Sequence, residues 1–486
     1  MAASPQPSLL PDTVCVAEGD GIGPEITRAT LAVLRAAGAP LRFNPVSMGI
    51  SCFREDLTSG IPPSTWDAIR DAGVLLKGPM TTPQGSGMKS LNVTLRKSLG
   101  LYANVRPVRS YAPFIRSNFP TADLVIIREN EEDLYAGIEH RQTEDVVQCL
   151  KLVSRPGCER IIRYAFEYVR TRGRHKLTCM TKDNIMKLTD GLFHDVFDEV
   201  AREYPAIEAE HMIIDIGMAR VASRPQDFDV IVTPNLYGDI LSDVAAEITG
   251  SVGIAPSANI GARVSVFEAI HGSAPDIAGK DIANPSALLL SAAKMLAHLG
   301  HGKMAELIHN AWLCTMERGL HTADVYTEGT STRRLGTTAF AEAVISLLGQ
   351  MPEQLKPATY PDEKLEIRLP PPGRTAAKQL VGVDVFVQSR AEPAALGEQL
   401  APFGGPNFEL SMITNRGVQV WPTGMPETSC TDHWRCRFTA VAGKTVSNTT
   451  IVGLLSRLAE AGVEFVKTEH LYEFDGKKGF SLGQGQ

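Results

Sequence analysis

Residues 227–250, DFDVIVTPNLYGDILSDVAAEITG, contain one full step of the chain's organisation. DFDVIVTPN reads as a buried strand ending at Asn235, and NLYGDILSDVAAEITG as the helix that follows it. The same step recurs on both sides. Upstream, VCVAEG (14–19) runs through a glycine turn into a helix with Pro24 near its first position. DLVIIREN (123–130) and KLTCMTKDN (176–184) are strand-like, RIIRYAFEYVRTRG (160–173) and GLFHDVFDEVAREYP (191–205) have helical period, and IEAEHMIID (207–215) is a strand ending at Asp215. Downstream, a strand to Glu268 leads through a loop of small residues to a helix starting near Pro285. Such alternation indicates an α/β fold whose sheet is covered on both faces.

A chain of 486 residues exceeds what one hydrophobic core usually serves. The proline- and charge-rich stretch 351–379 reads as a linker. Beyond it the elements follow in the order β-α-β-β-α-β, the pattern of a ferredoxin-like α+β domain over 380–486. A formal charge of -7 argues against nucleic acid or an anionic membrane as partner. The longest apolar run, 286–299, is interrupted by Lys294 and His298 and is too short for a membrane span. The first twelve residues lack a secretory signal, and eight scattered cysteines without metal-ligand spacing suit a reduced, cytoplasmic protein.

Polar residues at the carboxyl ends of buried strands mark the expected site. The stretch 85–106, GSGMKSLNVTLRKSLGLYANVR, sets Ser90, Asn92, Arg96 and Arg106 close together, either as a clamp for a small polyanion or as a surface helix with solvated arginines. Asp239 and Asp243 share a helix face, and Asp215 ends a strand. Three hard oxygen donors without nearby Cys or His suggest magnesium or manganese rather than zinc. The glycines at 19, 21 and 23 do not fit the dinucleotide-binding spacing. The loop at Gly272, Ser273 and Ala274 lets backbone approach a flat or phosphorylated ligand.

Seven stretches then resemble, in order, the motifs of the isocitrate and isopropylmalate dehydrogenase family: EGDGIGPE (18–25), KGPMTTP (77–83), KSLNVTLRKSLGLYANVRP (89–107), RENEEDLYAGIEH (128–140), TKDNIMK (181–187), NLYGDILSD (235–243) and FEAIHGSAPDIAGKDIANP (267–285). The match covers about 12–350, and the whole chain is similar to the longer, Thermus-type bacterial isocitrate dehydrogenases. The resemblance implies a non-Rossmann fold with a discontinuous cofactor-side domain (1–103 and 253–350) and a small domain (104–252) carrying substrate, metal and dimer contacts.

It also implies roles. Arg96, Arg106, Arg128, Tyr135 and Lys182 match residues that hold the malate portion of the substrate. Ser90 and Asn92 stand in the isocitrate pattern, where isopropylmalate enzymes place apolar residues. Asp215, Asp239 and Asp243 match the magnesium or manganese ligands, and Tyr135, Lys182 and Asp215 the catalytic groups, with Lys182 and Asp215 contributed across a homodimer. The C-terminal domain is open to a role in a higher oligomer. Thr82, Glu268, His271, Gly272, Ser273, Ala274 and Asn284 match cofactor contacts. Asp276 and Ile277, in place of the Lys-Tyr pair common in NADP enzymes, together with Asp324, point to NAD. The expected activity is NAD-dependent oxidative decarboxylation of isocitrate in the tricarboxylic acid cycle. The alternatives are an NADP enzyme, a dehydrogenase for homoisocitrate or isopropylmalate, and a non-catalytic regulatory subunit.

Overall fold

A computed structural model of the chain describes residues 12–53, 57, 59–81, 90–361, 365–371 and 375–483. Val230–Thr233 is buried at every position and lies inside a ten-stranded sheet. The order across the sheet is Leu41–Pro45, Asp12–Ala17, Val74–Lys77, Ser265–Ala269, Pro256–Ile260, Ala103–Arg109, Asp123–Glu129, Val230–Thr233, Lys176–Thr181 and Glu208–Ile213. The first four strands run parallel to one another, as do the last four. Pro256–Ile260 and Ala103–Arg109 join the two halves by antiparallel pairing.

Continuous apolar runs such as Leu124–Ile127 are the expected signature of strands covered on both faces. Helix Ser286–His298 is buried on nearly every side, which accounts for the apolar run seen in the sequence. Among the described residues no helix is long and apolar enough to cross a membrane. All eight cysteines are free.

The contacts divide the chain into two compact units: residues 1–135 with 152–369, and residues 136–151 with 370–486. This division differs from the sequence boundaries in two ways. The stretch 351–369, expected as linker, packs with the first unit: Leu355 and Ala358 enter its core, and His309 Nδ1 lies 2.9 Å from the Tyr360 hydroxyl. The hairpin of Glu139–Arg141 and Val147–Cys149 belongs with the C-terminal residues, tied by Thr143 Oγ1 donating to Asp432 Oδ1 at 2.5 Å.

In the second unit the sheet order is Val418–Trp421, Phe408–Asn415, His433–Ala440, Lys378–Gln388, Phe465–Phe474 and Lys477–Lys478, all antiparallel. The four longest strands with helices Pro393–Leu400 and Asn448–Glu460 form two interleaved βαβ steps, the ferredoxin-like arrangement. FELSMITNRGVQVWP reads as one strand but is a hairpin. Arg416 and Gly417 both take positive φ (49° and 84°), the geometry of a two-residue primed turn.

Candidate active site

The site begins where two antiparallel neighbours of the large sheet meet. Strand Asp123–Glu129 carries Arg128, whose register partner is Asn104, and strand Ala103–Arg109 carries Arg106. Helix Asn235–Ile248 packs against them without room for a side chain at Gly238, where a Cβ would lie 2.6 Å from Arg128 Cβ. That close approach brings Asp239 over both arginines. Arg128 is hydrogen-bonded and ion-paired to Asp239 Oδ1 through Nη1, and donates to Asn235 Oδ1 at 3.0 and 2.7 Å. Arg106 Nη1 lies 3.4 Å from Asp239 and 3.6 Å from Asp243. Its Nε donates to Asn104 Oδ1 at 2.6 Å.

The Tyr135 hydroxyl donates to Asp239 Oδ2, and its ring lies under the Arg128 guanidinium at 4.8 Å. Burial, then the Asp239 bond, raises the Tyr135 hydroxyl, so it keeps its proton at neutral pH. Burial alone would raise Asp239, but Arg128 and Arg106 outweigh it and hold the carboxyl low. Asp243 is raised, by burial first. Arg128 is pushed down to about 9 by burial, with Arg106 and Arg96 acting in the same direction.

A second buried cluster adjoins this one. Glu268 receives Lys77 Nζ at 2.5 Å, Arg96 Nη2 at 3.0 Å and Asn259 Nδ2 at 2.8 Å. Lys77 and Glu268 are both buried, and their pairing drives Glu268 far below the ordinary carboxylate range despite burial. Among the described residues, two buried atoms on helix Leu91–Ser98 have no partner: Asn92 Oδ1 and Arg96 Nε. Such groups are costly unless a ligand satisfies them.

Lys182 and Asp215 form a separate pair at 3.0 Å, which holds the Asp215 carboxyl low. Asp215 does not end a strand as expected; it sits in the first turn of helix Ile214–Ser223. The Lys182 amide donates to Asp190 Oδ2 at 2.7 Å. Among the described residues, Asp215 is not brought into one ligand cluster with Asp239 and Asp243 within a single chain. The oxygen-only set suits magnesium or manganese.

The expected cofactor loop docks on the first strand-to-helix turn. Ser273 O accepts Ile22 N at 2.8 Å, and a Cβ at Gly21 would lie 1.9 Å from the same oxygen. Ser273 Oγ lies 2.7 Å from Thr81 Oγ1. Gly272 is exposed and Ala274 takes φ 37°. His271 Nε2 is buried without a partner among the described residues, and burial lowers the ring's pKa. Asn284 Nδ2 donates to Asp324 Oδ2 at 3.0 Å. Thr82 lies outside the described residues, as do Gly85 and Gly87. Ser90 precedes helix Leu91–Ser98 at its N-cap.

Lys77, Asn104, Asn235 and Asn259 also belong to the site and have no individual role in the sequence reading. Lys77 follows the apolar run Val74–Leu76 and so sits at the carboxyl end of a buried strand, the signal that marked Arg128.

Residues 13–344 match the isocitrate/isopropylmalate dehydrogenase family, and residues 378–486 the C-terminal domain of bacterial isocitrate dehydrogenase. The chain belongs to the isocitrate/isopropylmalate dehydrogenase family. Among its relatives is a protein named isocitrate dehydrogenase [NADP] from Rickettsia bellii, 52% identical over 97% of this chain and 99% of the relative. Another bearing that name, from Thermus thermophilus, is 47% identical over 97% of this chain and 96% of its own length. A crystal structure of a Thermus thermophilus protein superposes with a TM-score of 0.92 at 46% identity, covering 98% of this chain and 96% of that one.

These family members overturn the expectation of NAD. Six full-length relatives, 47–52% identical, carry NADP in their names. The structure supplies a physical reason. Asp276 is exposed, where solvent and salt screen its charge, and Ile277 packs against the core. Asp324, read as unfavourable to phosphate, is engaged by Ser251, Thr322 and Asn284. Arg333 and Arg334 lie beside this loop, both exposed, on a short strand paired with Leu320–His321, and Thr337 N donates to Asp281 O at 3.0 Å. Neither arginine enters an ion pair among the described residues, and their solvated charge suits a phosphate.

Proposed function

We propose that the chain carries out the NADP-dependent oxidative decarboxylation of isocitrate to 2-oxoglutarate and carbon dioxide, with a magnesium or manganese ion, in sites shared between two copies. The observation that carries this reading is the charge of a cluster whose arginines, Lys77 and Glu268 are largely buried and whose Asp243 reaches solvent. Among the described residues, Lys77, Arg96, Arg106 and Arg128 face Glu268, Asp239 and Asp243, leaving one positive charge. A tricarboxylate with a divalent ion brings one net negative charge and closes that balance, whereas a dicarboxylate with the same ion leaves it open. The orphaned Asn92 Oδ1 and Arg96 Nε supply polar partners for the third carboxylate arm, the amide of Asn92 presenting either end by turning about its last torsion.

Asp239 and Asp243 would hold the metal together with Asp215 from a second copy, since one chain does not assemble all three. A bound divalent ion would supply Lewis acidity to lower the pKa of the substrate's hydroxyl. Lys182 and Asp215, from the second copy, would assist removal of the hydroxyl proton by relaying it through the aspartate or a water to solvent. Arg96, Arg106 and Arg128 orient the carboxylates. Tyr135, kept protonated by burial and by Asp239, delivers a proton to C3 after carbon dioxide leaves. A bound NADP would supply the hydride acceptor, and the loop 271–284 with Arg333 and Arg334 would hold its adenosine end.

Steady-state reduction of NADP and of NAD by isocitrate with manganese tests this reading. The expected result is a kcat/KM at least about a hundredfold higher with NADP, roughly 2.7 kcal/mol of discrimination. Preference for NAD would remove the cofactor assignment. Turnover of isopropylmalate but not isocitrate would remove the substrate.

A further inference from the structure

We propose that Asp183, His194 and His211 form a binding site for one divalent transition-metal ion, distinct from the carboxylate site at Asp239 and Asp243. The three residues come from three elements. Asp183 lies two residues beyond strand Lys176–Thr181, His211 is on the neighbouring parallel strand in register with Cys179, and His194 is on helix Thr189–Ala201. One ligand atom from each lies within 4.8 Å of the other two. Bonds of about 2.0–2.1 Å to a common ion are within reach of small side-chain rotations. His194 Nδ1 is 2.7 Å from Asp183 Oδ2, and His211 Nε2 is 3.8 Å from Asp183 Oδ1. The Thr181 hydroxyl lies 2.8 Å from His211 Nε2.

The two imidazole rings are stacked, 3.5 Å between centroids and 16° between planes. Two imidazolium ions cannot share that arrangement without strong repulsion. All three side chains are 17–25% exposed, so an ion can enter from solvent. Two nitrogens and one carboxylate select zinc, cobalt, nickel or copper over magnesium and manganese, the opposite preference to the Asp239–Asp243 pair.

The position gives the site a consequence. Asp183 follows Lys182 directly, and the Lys182 amide is bonded to Asp190 on the same helix as His194. An ion here ties the turn after Lys182 to that helix and to the sheet-edge strand. It therefore restrains the segment that places Lys182, whether or not the substrate and cofactor proposed above are right.

The test uses untagged, metal-stripped, full-length protein with magnesium in excess, so that the all-oxygen site is filled. Zinc is titrated calorimetrically, and cobalt by its visible spectrum, which distinguishes nitrogen ligation. One ion per chain is expected, with affinity falling at least about tenfold in His194→Ala and in His211→Ala, and with a zinc-induced rise in melting temperature that both variants lose. Circular dichroism checks that the variants fold. Zinc-edge X-ray absorption on the wild type needs no variant and should count two imidazoles. No ion beyond those magnesium displaces, unchanged affinity in folded His variants, or fewer than two imidazoles would overturn the proposal.

Discussion

Replacing Glu268 with glutamine tests whether this residue is the counter-ion of the buried cluster. The carboxylate receives Lys77 at 2.5 Å and Arg96 at 3.0 Å, and both the lysine and the carboxylate are buried. Glutamine keeps the shape and one acceptor but removes the charge, so Lys77 keeps the Gly78 carbonyl at 3.1 Å and loses its counter-ion. Breaking a buried pair on one side costs about 3–5 kcal/mol, and the retained acceptor places this change near about 3. At about 2 °C per kcal/mol for a large unit, the melting temperature should fall by about 6 °C. The pH dependence carries a sign. The Glu268 carboxyl is held far below its ordinary 4.5, so its contribution is complete above that value and is lost progressively as pH falls toward the folded value. The variant should therefore lack that part of the wild type's acid destabilisation. Kinetics separates this role from a cofactor contact. Loss of the Arg96 anchor raises KM for isocitrate more than KM for NADP. A shift under about 2 °C, or an effect confined to NADP, would refute the counter-ion argument.

Tyr135→Phe removes the hydroxyl while leaving a ring under Arg128, so substrate KM should change little and kcat should fall by about 10²–10⁴-fold in steady-state assays. A kcat near wild type would take the proton-donor role from Tyr135. Arg333→Ala with Arg334→Ala should raise KM for NADP by about tenfold or more and leave KM for NAD unchanged, because only NADP carries the extra phosphate. Equal effects on both cofactors would mean that these arginines do not read the 2'-phosphate.

The parts legible in the sequence were those that depend on near neighbours. Val230–Thr233 and Leu124–Ile127 are continuous apolar runs because both sheet faces are covered, and Arg128 stands out as a charge at the end of such a run. What escaped depends on residues distant in the chain. The hairpin at 139–149 joins the C-terminal unit through Thr143 and Asp432, a pairing no local period encodes. Cofactor choice failed for the same reason. The sequence shows the charges of Asp276 and Asp324 but not that Ser251, Thr322 and Asn284 engage the Asp324 carboxylate, nor that Asp276 lies in solvent. A residue's type fixes its charge, but its neighbours fix whether that charge is available. The same distinction makes the buried network informative. Burial first, and then Arg106 and Arg96, lowers Arg128, while Asp239 acts in the opposite direction. A locally positive cluster in a protein of net charge -7 is a concentration of guanidinium groups that attracts an anion. That residual charge, rather than any single motif, is what a tricarboxylate with its metal would complete.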